Sequence, residues 1–233
     1  MRALLRGLAL LLSLLSPAFG NAAQVEVGTG ISKAQTNGDG TWYQNAFPHS
    51  LSLRSPVFLL GITGKLSPHL RWHLDAVDLG SYRVNSWDTP NDANYNPGRG
   101  YKGNPLPLTN YIGSGHVWGI APTLEIHTRG NWQVGADIGP FLYHATWNMS
   151  VPNWYPSTQT SRGAFEPSGP MQPVYFSQSH WAIGGVIGVS LHYEAWFLTI
   201  QRYLDGKGFS GHGNDGWPPL WKSQTVVMIG YQF

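Results

Sequence analysis

From residue 24 to its last residue the chain alternates apolar and polar side chains with a period of two, segment after segment. In QVEVGTGIS, Val25, Val27, Thr29 and Ile31 oppose Gln24, Glu26, Gly28 and Gly30. PVFLLGITG is apolar on both faces and reads as a strand without declaring its orientation. LRWHLDAVDLG sets Leu70, Trp72, Leu74 and Ala76 against Arg71, His73 and Asp75. In HVWGIAPTLEIH, Trp118, Ile120, Leu124 and Ile126 face away from Gly119, Ala121, Thr123, Glu125 and His127. WQVGADIGPFLYH divides Trp132, Val134, Ala136, Ile138 and Leu142 from Gln133, Gly135, Asp137, Gly139 and Tyr143. HWAIGGVIGVSLHY alternates most cleanly, and WFLTIQRYL and WKSQTVVMIGYQF complete a set of eight. A period of two is the signature of strands, since helices repeat at 3.6.

The connections are unequal. Short turns at KLSPH, TRGN and around Glu194 alternate with long stretches at 35–55, 83–113, 145–178 and 205–220, rich in Pro, Gly, Asn and aromatic residues. Segments of about ten residues cross a bilayer when tilted, and short turns on one side with long loops on the other are the asymmetry of a transmembrane β-barrel. Trp72, Trp132 and Trp196 fall beside short turns, whereas Trp118, Trp147, Trp181 and Trp221 fall beside long stretches, which predicts two interfacial girdles. Pro122 and Pro140 interrupt candidate strands and predict bulges or shorter strands there, because proline cannot donate to a ladder. A further pair of strands around Val174–Phe176 would raise the number to ten. The fold class expected is all-β: a closed antiparallel up-and-down transmembrane barrel, eight-stranded in the first reading.

Composition narrows this further. Only 11% of the residues are charged, against about 25% in ordinary domains. The face opposite the apolar stripe carries mostly Gly, Ala, Thr, Gln and His, whereas the outer face of a soluble sandwich would be charged. No run after the N-terminal segment is long enough for a transmembrane helix. Residues 1–23, with Arg2 and Arg6 before the apolar run Leu8–Leu15, Pro17 and small residues, read as a signal peptide cleaved somewhere in 20–23. Residues 24–233 then form a single barrel domain. Without the two arginines the net charge of +2 falls to about zero, and no basic patch with interleaved aromatics points to nucleic acid. The chain has no cysteine, so burial and hydrogen bonds alone must hold it.

The closing Ile229-Gly230-Tyr231-Gln232-Phe233, an alternating strand ending on an aromatic, resembles the C-terminal signal of bacterial outer-membrane proteins. The resemblance, to small barrels of the OmpW, OmpX and PagL type, covers the whole of 24–233 and matches no subfamily motif. It implies residence in the outer membrane, contact with its lipid and lipopolysaccharide, and reading of the strand ending at Phe233 by the barrel-assembly machinery. The family includes adhesion and resistance proteins, barrels that pass hydrophobic compounds, and lipid A-modifying enzymes.

Chemistry is sparse. No histidine is followed two residues later by serine, as in the His-x-Ser-Asn signature of PagL-type deacylases, and the Asp-Ser pair of PagP-type transferases is absent. Ser190 and His192 share one strand face in the reversed order. His73 with Asp75, and Glu125 with His127, each place a base and an acid on one face, an arrangement that tunes a general base or begins a metal site. The structural reading of these six residues is a charge network filling a narrow lumen. No cofactor and no metal is expected. Inward glycines and alanines (Gly28, Gly30, Gly119, Ala121, Gly135, Gly139, Ala182, Gly184 and Gly188) would leave room for a small apolar guest. The long stretches present Trp42, Tyr43, Trp87, Tyr95, Tyr101, Trp154, Tyr155 and Trp217 as recognition material, and His212-Gly213-Asn214-Asp215 reads as a turn. The expectation is a surface, interaction or structural protein with a closed lumen. The alternatives are a lipid A or phospholipid acyl-modifying enzyme, and a protein that binds or passes a small hydrophobic ligand.

Overall fold

Eight long strands pair in chain order, and the first pairs with the last. They are β1 (Gln24–Thr36), β2 (Arg54–Ser67), β3 (Leu70–Asp88), β4 (Thr109–His127), β5 (Trp132–Trp154), β6 (Gln172–Tyr193), β7 (Trp196–Leu204) and β8 (Trp221–Gln232). A short strand His49–Ser52 precedes β2 and pairs with β3 at Arg83–Ser86. Every pairing is antiparallel, so the sheet closes into an up-and-down barrel without a free edge. This computed structural model describes residues 23–36, 49–88, 95–96, 100–101, 109–154, 157–159, 165–167, 169–170, 172–206 and 221–233. Residues 1–22 of the expected signal peptide (1–23), the expected turn at 212–215 and the side chains of the aromatics named for the long connections lie outside the described part.

Four of the strands run beyond the limits set by the apolar pattern. β3 continues to Asp88, β4 begins at Thr109, β5 reaches Trp154 and β6 starts at Gln172. Val174 and Phe176 thus extend β6 against Val151 and Met149 of β5, and add no strand to the barrel. The extensions escape the pattern because most of their outward side chains turn polar: Ser177, Ser179 and Asn148 are exposed there, interspersed with Ile112 and Tyr175. Pairing continues where the alternation of hydrophobicity has ended.

The prolines neither bulge nor end a strand. Ile120 pairs with Leu142 and Leu124 pairs with Ile138, so the unbroken register sets Pro122 opposite Pro140 in a gap of the β4–β5 ladder. Two missing N–H donors coincide on one seam, while the outer ladders still pair Pro122 with Leu74 and Pro140 with Gly185. The seam is tight, since a Cβ at Gly139 would lie 2.0 Å from the Pro122 carbonyl oxygen. Gly139→Ala is therefore expected to destabilise the barrel by about 1–3 kcal/mol, the usual cost of overpacking, as checked by urea titration in lipid vesicles. An unchanged midpoint would mean that the seam yields.

Register shifts occur near strand ends at Gln35/Thr36, Lys65/Ser67 and Gln172/Val174, and one lies inside β3, where the register against β4 shifts between Asp78 and Gly80. Gly80 has φ +80°, a left-handed conformation that a side chain would strain, and its N–H donates to Asp78 Oδ1 at 2.8 Å. The bulge turns Tyr82 into the lumen, where it is buried.

Candidate functional site

The two faces of the wall are inverted relative to a soluble protein. Ile126 and Ile183 are 68% exposed, Ile138 65% and Ile31 64%, whereas Glu26, Glu125, Asp75, Asp137 and Arg71 are all buried. Carboxylates in and isoleucines out cannot be stable in water; this is the arrangement of a membrane-spanning barrel. Aromatic clusters bound the outer apolar surface. At the short-turn end Trp132 stacks on Tyr193 at 4.4 Å, Trp196 meets Tyr231 at 5.1 Å, and Tyr231 meets Phe233 at 5.0 Å. Toward the long connections Trp118 packs edge-on against Trp181 at 5.2 Å, with His144 beside both. From Trp181 to Tyr193 the strand rises roughly 30 Å at about 3.3 Å per residue and a tilt of about 40°, close to a bilayer's hydrocarbon thickness. Trp147 and Trp221 depart from the expected girdle, because both point inward and are buried.

The lumen is layered. Toward the long connections it is aromatic: Phe141 meets Tyr203 at 4.7 Å, Tyr143 meets Trp221 at 4.8 Å, and Tyr82 stacks on Trp147 at 5.7 Å. Gln224 crosses this layer, with its amide donating to Ser32 Oγ at 2.6 Å and to the Leu79 carbonyl. Tyr143 donates to Asp205, and Tyr203 donates to Gln201 Oε1 at 2.8 Å. Gln201 donates in turn to Asp137 Oδ2 at 3.0 Å, which joins the aromatic layer to the charged one.

The charged layer occupies the short-turn half and is centred on Glu125 of β4. Its Oε2 accepts from Ser190 Oγ at 2.9 Å and from His192 Nε2 at 3.1 Å, and lies 3.4 Å from His73 Nε2. Arg71 Nη1 stands 3.7 Å from Glu125 Oε1 and 3.1 Å from His192 Nδ1, while Nη2 donates to Gln133 Oε1 at 2.9 Å. On the far side His73 Nδ1 donates to Glu26 Oε1 at 2.9 Å, and Gln232 Nε2 donates to Glu26 Oε2 at 3.1 Å. Glu26, His73 and Asp75 each present a ligand-type atom within 4.8 Å of the others. A cavity of about 20 Å³ lies among these groups, bordered by Asp75, Thr123, Glu125, Asp137 and Ser190.

Five of the six residues picked out in the sequence, Ser190, His192, His73, Asp75 and Glu125, therefore meet around one point. His127 does not join them; its Nδ1 donates to the Thr128 carbonyl at 2.9 Å, at the turn. The contacts form a hub and not a relay. Ser190 and His192 donate to the same carboxylate oxygen, so the hydroxyl has no imidazole acceptor to raise its nucleophilicity. The hub also contains Arg71, Glu26, Asp137, Gln133, Gln201 and Gln232, whose shared signal in the sequence was an inward position on the short-turn half of a strand.

The inward glycines do not leave open space. A Cβ at Gly135 would lie 2.5 Å from Ser190 Oγ, one at Gly188 2.6 Å from Asp137 Oδ1, and one at Gly119 2.7 Å from the Phe141 ring. Each glycine makes room for a large neighbour, the small–large alternation by which narrow barrels fill themselves.

No protein-family model matches the sequence, and no curated protein matches it. Among solved structures the chain is similar to the attachment invasion locus protein of Yersinia pestis, at 9% identity and a TM-score of 0.43 over 91% of this chain and 97% of that one. It is similar to the outer membrane protein OprG from Pseudomonas aeruginosa, at 11% identity and a TM-score of 0.41 over 91% and 97%. Neisserial surface protein A gives 13% identity and a TM-score of 0.35, again over 91% and 97%.

Proposed function

We propose that the chain is an integral outer-membrane barrel with a closed lumen, acting as a surface, interaction or structural protein that holds its long connections outside the cell on a rigid stem. The observation that carries this reading is the filled interior. The Glu125 hub spans the short-turn half, and Phe141, Tyr143, Tyr203 and Trp221 span the other, so a solute would have to break both layers. The strand extensions beyond Trp181 and Trp118 support the stem, because their mostly polar exteriors, with Ser177, Ser179 and Asn148 exposed, suit water better than lipid.

Orientation and lipid contact follow from the same surface. On β1, β8 and β7 the outward residues pass from Ile31, Val227 and Ile200 to Lys33, Thr225 and Arg202, with Arg54 directly opposite Lys33. Two like charges facing across a ladder destabilise it unless an anion lies between them. Phosphate groups of the outer-leaflet glycolipid have that charge and lie at that boundary. In this reading β8, which pairs with β1 to close the barrel, is also the strand that the assembly machinery reads through Phe233.

Protein refolded from urea and inserted in planar bilayers is expected to give a flat current trace while the unboiled sample migrates apart from the boiled one on a gel. Stepwise conductance would overturn the closed lumen; identical mobility would overturn the barrel. Lipid A from cells expressing the chain is expected to keep its acyl pattern, and a gained or lost chain would move the assignment to an enzyme.

A further inference from the structure

The hub contains more acid than base. Glu26, Asp75, Glu125 and Asp137 are buried together, and Arg71 is the single buried Lys or Arg among the described residues. Asp75 is buried and lines the cavity; its carboxyl meets that of Glu26, and its Oδ1 receives no hydrogen bond from a nitrogen or hydroxyl donor. Thr123, Glu125 and Asp137 line the same cavity; Thr123 Oγ1 and Asp137 Oδ1 have no hydrogen bond, and Glu125 Oε1 has only the 3.7 Å ion pair with Arg71. Buried polar atoms left in this state are costly, and native proteins seldom keep several of them around one space. At about 20 Å³ the space accepts a single water-sized occupant.

The geometry points to a binding site for one divalent first-row transition ion, of the Zn²⁺ type, held by Glu26, His73 and Asp75. Two carboxylates and one imidazole are ligands such an ion takes, with further positions open to water or to Thr123. His73 Nδ1 and Glu26 Oε1 stand 2.9 Å apart and share a hydrogen bond; an ion would replace that proton, and the two ligands would part by a few tenths of an ångström to tetrahedral spacing. With the ion on Nδ1, the ring's single proton sits on Nε2. That nitrogen has no hydrogen bond otherwise, and it faces Glu125 Oε2 at 3.4 Å. A metal-bound histidine whose other N–H meets a carboxylate is the common outer-shell arrangement. Gln232 holds the second oxygen of Glu26. Gly61 is part of the design: a Cβ there would lie 2.0 Å from Asp75 Oδ1 and 3.2 Å from Glu26 Cγ, inside the space that the ligands use. The site goes beyond the surface role proposed above and does not depend on what the long connections bind.

The test uses the full barrel without an affinity tag, refolded into detergent in the presence of chelator and then desalted. Titration with Zn²⁺ is expected to show one ion per chain, matched by elemental analysis, and Co²⁺ should give visible absorption bands from the nitrogen and oxygen ligands. Asp75→Asn should weaken binding at least about 100-fold, and Glu125→Gln about 10–100-fold, as loss of outer-shell partners does elsewhere. Asp205→Asn, in the aromatic half, should bind as the unaltered chain does. Each variant is measured only where the gel shift shows a folded barrel, and Glu26→Gln replaces Asp75→Asn if that variant fails. No stoichiometric uptake would overturn the proposal and leave the cavity to water. So would an Asp75→Asn or Glu26→Gln barrel that binds as tightly as the unaltered chain.

Discussion

Replacing Arg71 with methionine is expected to lower the unfolding free energy by about 3–5 kcal/mol, the range found when one partner of a buried ionic group is removed. Arg71 is 5% exposed, donates to Gln133, contacts His192 and stands 3.7 Å from Glu125. Methionine keeps much of the volume and removes the charge, so the loss reports electrostatics more than packing. The four carboxylates then keep only His73 and His192 as neighbouring nitrogen groups. Urea titration of the refolded barrel in lipid vesicles measures the change. Adding Glu125→Gln to the same chain should recover part of the loss, because the two groups belong to one network. A shift below about 0.5 kcal/mol for Arg71→Met, the level typical of surface changes, would mean that the hub is solvated and Arg71 is not a structural cation.

The second large effect lies on the opposite face of the wall. Ile138→Arg is expected to cost about 2–4 kcal/mol, the cost of arginine near the bilayer midplane of a barrel. Ile138 is 65% exposed and sits on β5 midway between Trp132 at the lower girdle and His144 at the upper one. Ser179→Arg, two residues beyond Trp181 on the neighbouring strand, should cost about 0–1 kcal/mol, because that position lies past the apolar belt. The pair of variants measures where lipid begins. Equal costs at the two sites would put the belt in the wrong place.

The apolar alternation located the strands within the membrane accurately, because there each outward residue must be apolar. It lost them where they leave the belt. Ser177, Ser179 and Asn148 are outward, paired and polar, so neither hydrophobicity nor its period marks them as strand. The prolines misled for a related reason. Taken singly, Pro122 and Pro140 each break a ladder; that they oppose each other and share one gap is a fact of register, and register depends on the partner strand. Trp147 and Trp221 resemble girdle residues by their distance from the connections, yet both face inward. The bulge before Tyr82 illustrates how one residue more or less exchanges the faces.

The candidate site divides in the same way. That His73, Asp75, Glu125, His127, Ser190 and His192 point inward follows from their positions in alternating strands, and so could be read along the chain. Which of them meet could not. Glu125 receives Ser190 and His192 from 65 and 67 residues away, and His73 reaches Glu26 across 47, because barrel closure and strand tilt bring the inward positions of β1, β3, β4 and β6 to one depth. The glycines show the same limit. In the chain they look like space; in the barrel some are notches for a neighbour's side chain, as Gly61 is for Asp75, and others, such as Gly139 and Gly184, lie against a neighbouring strand's backbone.

What the sequence by itself determined is the architecture and its solvent: a period of two, an aromatic last strand, few charges and unequal connections require an inside-out barrel, since those properties concern each strand's relation to lipid. What only the tertiary structure decided is the content of the lumen: which charges pair, which oxygens stay without partners, and where a cavity of one ion's size remains. Those depend on distances across the barrel, and such distances are set when β8 closes on β1 and not before.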